Sequence, residues 1–390
     1  MELSALILKN VMRHKLRSIL TILGIAIAIS AFGLLRTVIT AWYGVAQVAA
    51  PNRLVTRNAI SLIFALPLSY KDAILSIPGV EKVSYGSWFQ GIYIDEKHSQ
   101  FAQFAVDPAT WFDLYPEYLI PAEQKEAFLR ERNAAIIGIE LAERFGWKIG
   151  DTIRMRGTIH PGDWDFVIRG IYTGSPETTH RDHLFFHWRY LDERLRQTEP
   201  WRAGYVGMYM VMITEPELAG TVAQAIDERF KNSLAETLTE TEKAFLMGFV
   251  TMSQAILTAL EIISVLIIGV ILLVLFNTMA MTARERLSEY AVLKTLGFGA
   301  PHLTFLIAGE SLLIALSGGV LGMSFIYPAT GSFVKVMGEM MGVYFPIYGI
   351  APATLAASGL MAIGVGLTAA VFPTWRAVTL RIAEGLRRVG

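Results

Sequence analysis

The sequence has no cysteine in 390 residues and no G-x-x-x-x-G-K-[ST] stretch. The first absence excludes disulfide staples, so any large domain outside a membrane must fold on its apolar core, which a domain of about 200 residues can do. The second removes the loop whose backbone amides cradle nucleotide phosphates, so this chain has no such means of holding ATP. Charge is also scarce: 17% of residues are Asp, Glu, Lys or Arg, with a formal net charge of zero. A nucleic-acid partner is not expected from that balance.

Apolar residues make up 53% of the chain, which leans toward a membrane protein. A hydrocarbon core about 30 Å thick needs roughly 20 apolar residues as helix. Four uncharged runs qualify: Ser18 to Leu35 (18 residues), Ile262 to Ala283 (22), Ser311 to Val334 (24) and Met340 to Trp375 (36). The last exceeds one span; Pro346, Pro352 and Pro373 punctuate it, and Pro352 suits the first turn of a helix, which predicts a span near 352–374. The first run follows Lys9, Arg13, Lys15 and Arg17, yet it is longer than a signal-peptide core and reads as a retained anchor.

The charge partition orients the chain. Between Ala41 and Lys243 there are 21 Lys/Arg against 27 Asp/Glu, leaving 13 against 7 elsewhere. Short basic segments stay in the cytoplasm, which puts 1–17, 284–302 and 376–390 inside and the acidic domain outside. The expected fold is therefore a membrane protein with four transmembrane α-helices, a large α+β extracytoplasmic domain between the first and second, and a short outer loop near 335–351.

Leu3, Ile7 and Val11 recur at helical spacing against Lys9, Arg13 and Arg17, predicting an amphipathic helix whose cations, with Lys15, anchor it at the membrane surface. The outer domain alternates predicted helices (70–76, 123–130, 139–145, 217–230) with strands (80–85, 88–94, 101–106, 152–156, 166–172, 205–213), in one or two lobes. From Thr239 a single long helix is expected, its outer part near 239–261 standing as a rigid stalk and its body continuing through the second span to Gly297. Gly318 and Gly322 in the third span, with Ala362, Gly366 and Ala370 in the fourth, supply the small residues that membrane helices use for packing, within the chain or against a second copy.

The stretch with most functional content is Asn277-Thr-Met-Ala-Met-Thr-Ala-Arg284-Glu285-Arg286-Leu-Ser-Glu289-Tyr290-Ala-Val-Leu-Lys294-Thr-Leu-Gly297. Arg286 and Glu289 can pair at i, i+3, whereas Glu285 and Glu289 repel at i, i+4, so a partner surface is expected to answer these charges. The segment resembles the cytoplasmic signature of MacB/FtsX-like permeases. Leu8 to Ile25, Phe372-Pro373-Thr-Trp375-Arg376-Ala377, Glu384-Gly-Leu386-Arg387, Ile139 to Thr152 and Ile168 to Tyr172 resemble that family too. Tyr290-Ala291 and Thr295 depart from its usual residues.

The resemblance implies three parts: 1–40 as amphipathic helix and first span, 41–243 as a MacB-like core domain, and 244–390 as an FtsX-like permease domain. It implies the permease subunit of an ABC transporter of the mechanotransmission type, without catalytic residues. A coupling helix at about 284–297 would dock a separate ATPase through Arg284, Glu285, Arg286, Glu289, Lys294 and Gly297. ATP and Mg would be bound by that ATPase, in two copies, and no cofactor by this chain. A homodimer in a bacterial inner membrane, with a periplasmic adaptor or carrier protein, would export or extract a lipid, lipoprotein, peptide or drug-like substrate. The rival reading is a non-transporting scaffold that activates a cell-wall hydrolase.

Glu310, within the third span, is expected to find a structural pairing near the inner surface, while Glu261 at the outer edge of the second reaches the interface. His183 and His187 with Asp182 would share a face only on a helix, and Leu-Phe-Phe between the histidines reads equally as strand, so no metal site is expected. Trp88, Phe89, Tyr93, Trp111, Phe112 and Tyr115 are assigned to core packing.

Overall fold

The computed structural model describes residues 2–44, 49–95, 99, 101–175, 179–341 and 350–382. These form two compact units: one of Met1–Ala41, Ser253–Lys335 and Gly349–Gly390, the other chiefly Trp42–Met252.

Among the described residues, the first unit contains four helices long and apolar enough to cross a membrane: Lys15–Gly44, Gln254–Glu285, Ala300–Phe333 and Pro352–Thr379. The third belongs to a longer helix, Ala300–Met341, which overruns the outer loop expected to begin near 335; the rest of that predicted loop, 342–349, lies outside the described residues. Pro352 opens the fourth span as expected, whereas Pro373 lies inside it and does not end it, as membrane helices tolerate. The amphipathic helix forms over Glu2–Val11.

Small residues let these helices approach closely. A Cβ on Gly318 would lie 2.7 Å from Ile25 Cβ, and one on Gly322 2.7 Å from the Ala26 carbonyl oxygen, so this pair receives the first span. Gly319 meets Ala362, and Gly366 meets Ala315. Ala370 is buried. Ser311 donates to the Gly366 carbonyl at 2.7 Å and Ser30 to that of Gly322 at 2.9 Å, giving buried hydroxyls partners where lipid offers none.

The second unit is built on twelve strands among the described residues: β1 (Arg53–Asn58), β2 (Leu66–Pro67), β3 (Val80–Trp88), β4 (Gly91–Ile92), β5 (Gln103–Val106), β6 (Ala134–Gly138), β7 (Thr152–Gly157), β8 (Gly162–Tyr172), β9 (Leu184–His187), β10 (Tyr205–Val206), β11 (Met208–Ile213) and β12 (Thr237–Thr241). Ten of them make one continuous sheet, β12-β1-β11-β3-β5-β9-β6-β8-β7-β4, so the domain is not divided into two lobes. Only the pairs β5–β9 and β6–β8 are parallel in that sheet.

Both faces of the sheet are covered. Leu54, Tyr209, Val211 and Phe186 point into one core, and their neighbours Val55, Met208, Met210 and Phe185 into the other, the period-two division that a pleated strand imposes. A strand buried on both sides reads as an unbroken apolar run, as Leu-Phe-Phe in β9 does. Of the six aromatics assigned to packing, Phe89, Trp111, Phe112 and Tyr115 are buried in these cores, while Trp88 and Tyr93 pack partly buried against them.

The single long helix from Thr239 does not form. Thr237, Thr239 and Thr241 make β12, paired with β1, and the Thr56 and Thr239 hydroxyls meet at 3.0 Å; three β-branched residues at alternate positions favour a strand. The helix begins at Glu242, breaks at Ser253, resumes over Gln254–Glu285 and breaks again at Arg286. Neither break carries a glycine or proline, so nothing in the hydrophobic periodicity reveals it.

Candidate functional site

Between the second and third spans a separate nine-residue helix, Leu287–Thr295, occupies the expected coupling region. Arg286 starts it with φ −110° and ψ 13°. Gly297, at φ +93°, ends it: Phe298 N–H donates to the Leu293 carbonyl at 3.0 Å and Gly297 N–H to that of Lys294 at 3.1 Å. This is a Schellman closure, and the left-handed residue it needs is most readily glycine.

Apart from Arg284, the charges of this region have partners inside the chain. Arg17 grips Glu285 with both prongs, Nη1–Oε2 at 2.8 Å and Nη2–Oε1 at 2.9 Å. Arg13 pairs with Glu289 at 2.5 Å. Arg286 spans two carboxylates, Glu289 at 3.0 Å through Nε and the buried Glu310 at 3.0 Å through Nη1. The Glu285–Glu289 repulsion is thereby relieved by two arginines assigned from sequence to the lipid headgroups. Lys9 and Lys15 remain exposed.

Lys294 is likewise occupied. Its Nζ donates to the carbonyls of Val378 and Leu380 at 2.6 and 2.8 Å, closing the C-terminal end of the fourth span, where a cation also meets the negative end of the helix dipole. Burial pushes the Glu289 carboxyl up, but hydrogen bonds from Arg286 and Arg13 outweigh it and hold the group below its ordinary range. Burial raises the Tyr290 hydroxyl to about 12 against the pull of Arg286.

What remains outward is mostly apolar. Val292 and Leu296, one turn apart, are exposed, as is Arg284, which makes no ion pair with a described residue. Beside them a cavity of about 450 Å³ is lined by Leu6, Asn10, Arg286, Tyr290, Leu293 and Leu306. Glu261 is exposed on the second span.

Two polar clusters of the second unit escaped the sequence reading in this form. Arg53 of β1 is buried and binds Glu242 through Nε at 2.8 Å, Glu117 through Nη2 at 2.7 Å and the Leu114 carbonyl through Nη1 at 2.9 Å. Glu242, the first residue of its helix, also accepts from Ala50 N–H at 3.0 Å and Tyr115 Oη at 3.3 Å. Separately, the strand conformation of β9 parts His187, whose Nε2 meets the Phe128 carbonyl, from His183. His183 is instead stacked on His180, ring centroids 4.9 Å apart.

Residues 18–229 match the MacB-like periplasmic core domain, and residues 261–382 the FtsX-like permease C-terminal domain. An uncharacterized ABC transporter permease of Methanocaldococcus jannaschii is 24% identical over 340 residues, covering 81% of this chain and 80% of the relative. One from Mycobacterium tuberculosis is 25% identical over 251 residues, 63% of this chain and 28% of the relative. Similar solved structures include the extracellular domain of the noncanonic ABC-type transporter YknZ from Gram-positive bacteria (10% identity, 49% of this chain and 100% of that one, TM-score 0.34). The periplasmic region of MacB from Actinobacillus actinomycetemcomitans is another (8% identity, 53% and 95%, TM-score 0.37).

The four spans and the matched permease domain define a multi-pass membrane protein of the permease class with a periplasmic-type domain. The chain belongs to the MacB/FtsX-like ABC transporter permeases. Such membership implies an ABC ATPase subunit as partner.

Proposed function

We propose that this permease transmits motion from a separate ATPase, bound at residues 284–297, to its periplasmic-type domain, and so exports or extracts a lipid, lipoprotein, peptide or drug-like substrate. ATP and Mg²⁺ are handled by two ATPase copies working with two copies of this chain in a bacterial inner membrane. The outer domain then meets substrate and a periplasmic adaptor or carrier.

The observation that carries this reading is the short helix Leu287–Thr295, isolated by a break at Arg286 and a left-handed Gly297. It is tied to the turn before the first span through Glu289 and Arg13, to the third span through its N-cap residue Arg286 and Glu310, and to the fourth through Lys294, while Glu285 at the end of the second-span helix binds Arg17. A push on its outer face therefore reaches all the spans together. The docking face is Arg284, Val292 and Leu296; Glu285, Arg286, Glu289 and Lys294 act as the transmission behind it. The second span buries least of its apolar stretch within the chain, 17% against 50% for the third, which supports a lipid or second-copy contact there.

The double variant Arg284→Glu/Leu296→Asp is expected to insert normally and to lose co-purification with the ATPase. Normal complex formation would sink the docking assignment. In the reconstituted complex, ATPase activity stimulated by a lipid, lipoprotein, peptide or drug supports transport. Activation of a cell-wall hydrolase without any such ligand would replace transport with the scaffold role.

A further inference from the structure

The loop between β8 and β9 collects His180, Asp182 and His183, with one donor atom from each lying within 4.8 Å of the others. His183 Nε2 stands 3.7 Å from Asp182 Oδ1, too long for a hydrogen bond. His183 Nδ1 is buried without a partner among the described residues, an unusual state for a ring nitrogen in a protein interior. The side chains are mostly buried, that of His183 12% and that of Asp182 27% exposed.

The backbone that carries them is fixed from several sides. Tyr172 Oη donates to the His180 carbonyl at 2.7 Å and accepts from His183 N–H at 3.1 Å. Gly138 N–H donates to the His183 carbonyl at 2.9 Å, and Glu140 N–H to that of Arg181 at 3.0 Å. Arg181 Nη2 also binds Glu140 at 2.6 Å. A Cβ on Gly138 would strike the Arg181 carbonyl, so the loop sits tightly on β6 and the helix after it.

We propose that His180, Asp182 and His183 bind one divalent transition-metal ion of the zinc class in the periplasmic-type domain. Two imidazoles and a carboxylate suit Zn²⁺ and its neighbours and disfavour Mg²⁺ and Ca²⁺, which take oxygen donors. Donors on one zinc ion stand roughly 3–3.5 Å apart, so small side-chain rotations close the site. Metal binding takes each imidazole in its neutral form, which offers one ring nitrogen lone pair, and takes Asp182 as its carboxylate. Three protein ligands leave a coordination position open to water or to a carboxylate or imidazole of a bound protein. The inference is independent of the proposed transport role.

Full-length protein without a polyhistidine tag, stripped by chelator, is titrated with Zn²⁺ and in parallel with Mg²⁺. The expected result is one tightly held Zn²⁺ per chain by elemental analysis after desalting, and a thermal midpoint raised by Zn²⁺ alone. Asp182→Asn and the double variant His180→Gln/His183→Gln weaken binding at least about tenfold, since even second-shell losses reach that size. His302→Gln, on the third-span helix, behaves as wild type. If the double variant fails to fold, loss of the Co²⁺ absorption bands in Asp182→Asn decides. Zn²⁺ bound no more tightly than Mg²⁺, or equally by wild type and Asp182→Asn, overturns the proposal.

Discussion

Arg17 and Glu285 lie 268 positions apart in sequence, yet their side chains form a two-pronged ion pair at 2.8 and 2.9 Å. The pair ties the start of the first span to the end of the second, one residue before the helix breaks. His14 adds a longer contact to the same carboxylate, at 3.9 Å.

Breaking this tie has a modest cost, because about a quarter to a third of each side chain is exposed (27% and 36%). Glu285→Gln is expected to lower stability by about 0.5–1 kcal/mol, and the exchange Arg17→Glu/Glu285→Arg to restore part of it. Thermal unfolding of the four-member mutant cycle in one detergent measures the coupling; a coupling of zero would show that the pair only decorates the surface.

A larger loss is expected where the glycines meet the first span. Gly322→Val places a branched side chain against the Ala26 carbonyl and Ile29 Cβ, and overpacking of this kind costs about 1–3 kcal/mol. Gly331→Ala in the same helix has open space around it and should be neutral. Equal midpoints for both variants would contradict the packing described.

In the outer domain, Arg53→Met leaves Glu242 and Glu117 beside a vacated, buried guanidinium site. Removing one partner of a buried pair costs about 3–5 kcal/mol, whereas Glu242→Gln keeps the hydrogen-bonding shape and should cost less. Denaturant unfolding followed by tryptophan fluorescence separates the two, and a smaller effect for Arg53→Met than for Glu242→Gln would refute the arrangement.

Acid should destabilise the same domain through His160. Burial, aided by the nearby Arg202 cation, lowers His160 from 6.5 to about 4. The unfolded chain then binds more protons between those values, so stability present above pH 6.5 is lost as pH falls toward 4, on the order of 3 kcal/mol. His160→Gln should flatten that part of the stability-versus-pH curve. An unchanged slope in the variant would assign the acid sensitivity to other groups.

Much of the fold was legible from run lengths and turn residues. The helix over Ile139–Phe145 was predicted with its observed bounds, and Pro352 marked the start of the fourth span. Local pattern does not reveal β1, β2, β6 or β12: β6 is an apolar run without alternation, β1 carries a buried arginine, β2 is two residues long, and β12 is largely polar and abuts a helix. Each is settled by its neighbours in the sheet, which no local pattern contains.

The sequence by itself determined the four spans, the placement of the large domain between the first two, and the segment whose composition resembles a coupling helix. These follow from how many apolar residues cross a hydrocarbon layer and where charge is excluded, both one-dimensional properties. Only the tertiary structure decided which charges are spoken for. Arg13 and Arg17 answer Glu289 and Glu285, Lys294 closes the fourth span, and Arg284, Val292 and Leu296 are left facing outward. Those assignments depend on through-space distances between residues hundreds of positions apart, and at ion-pair range a few ångströms decide the partner.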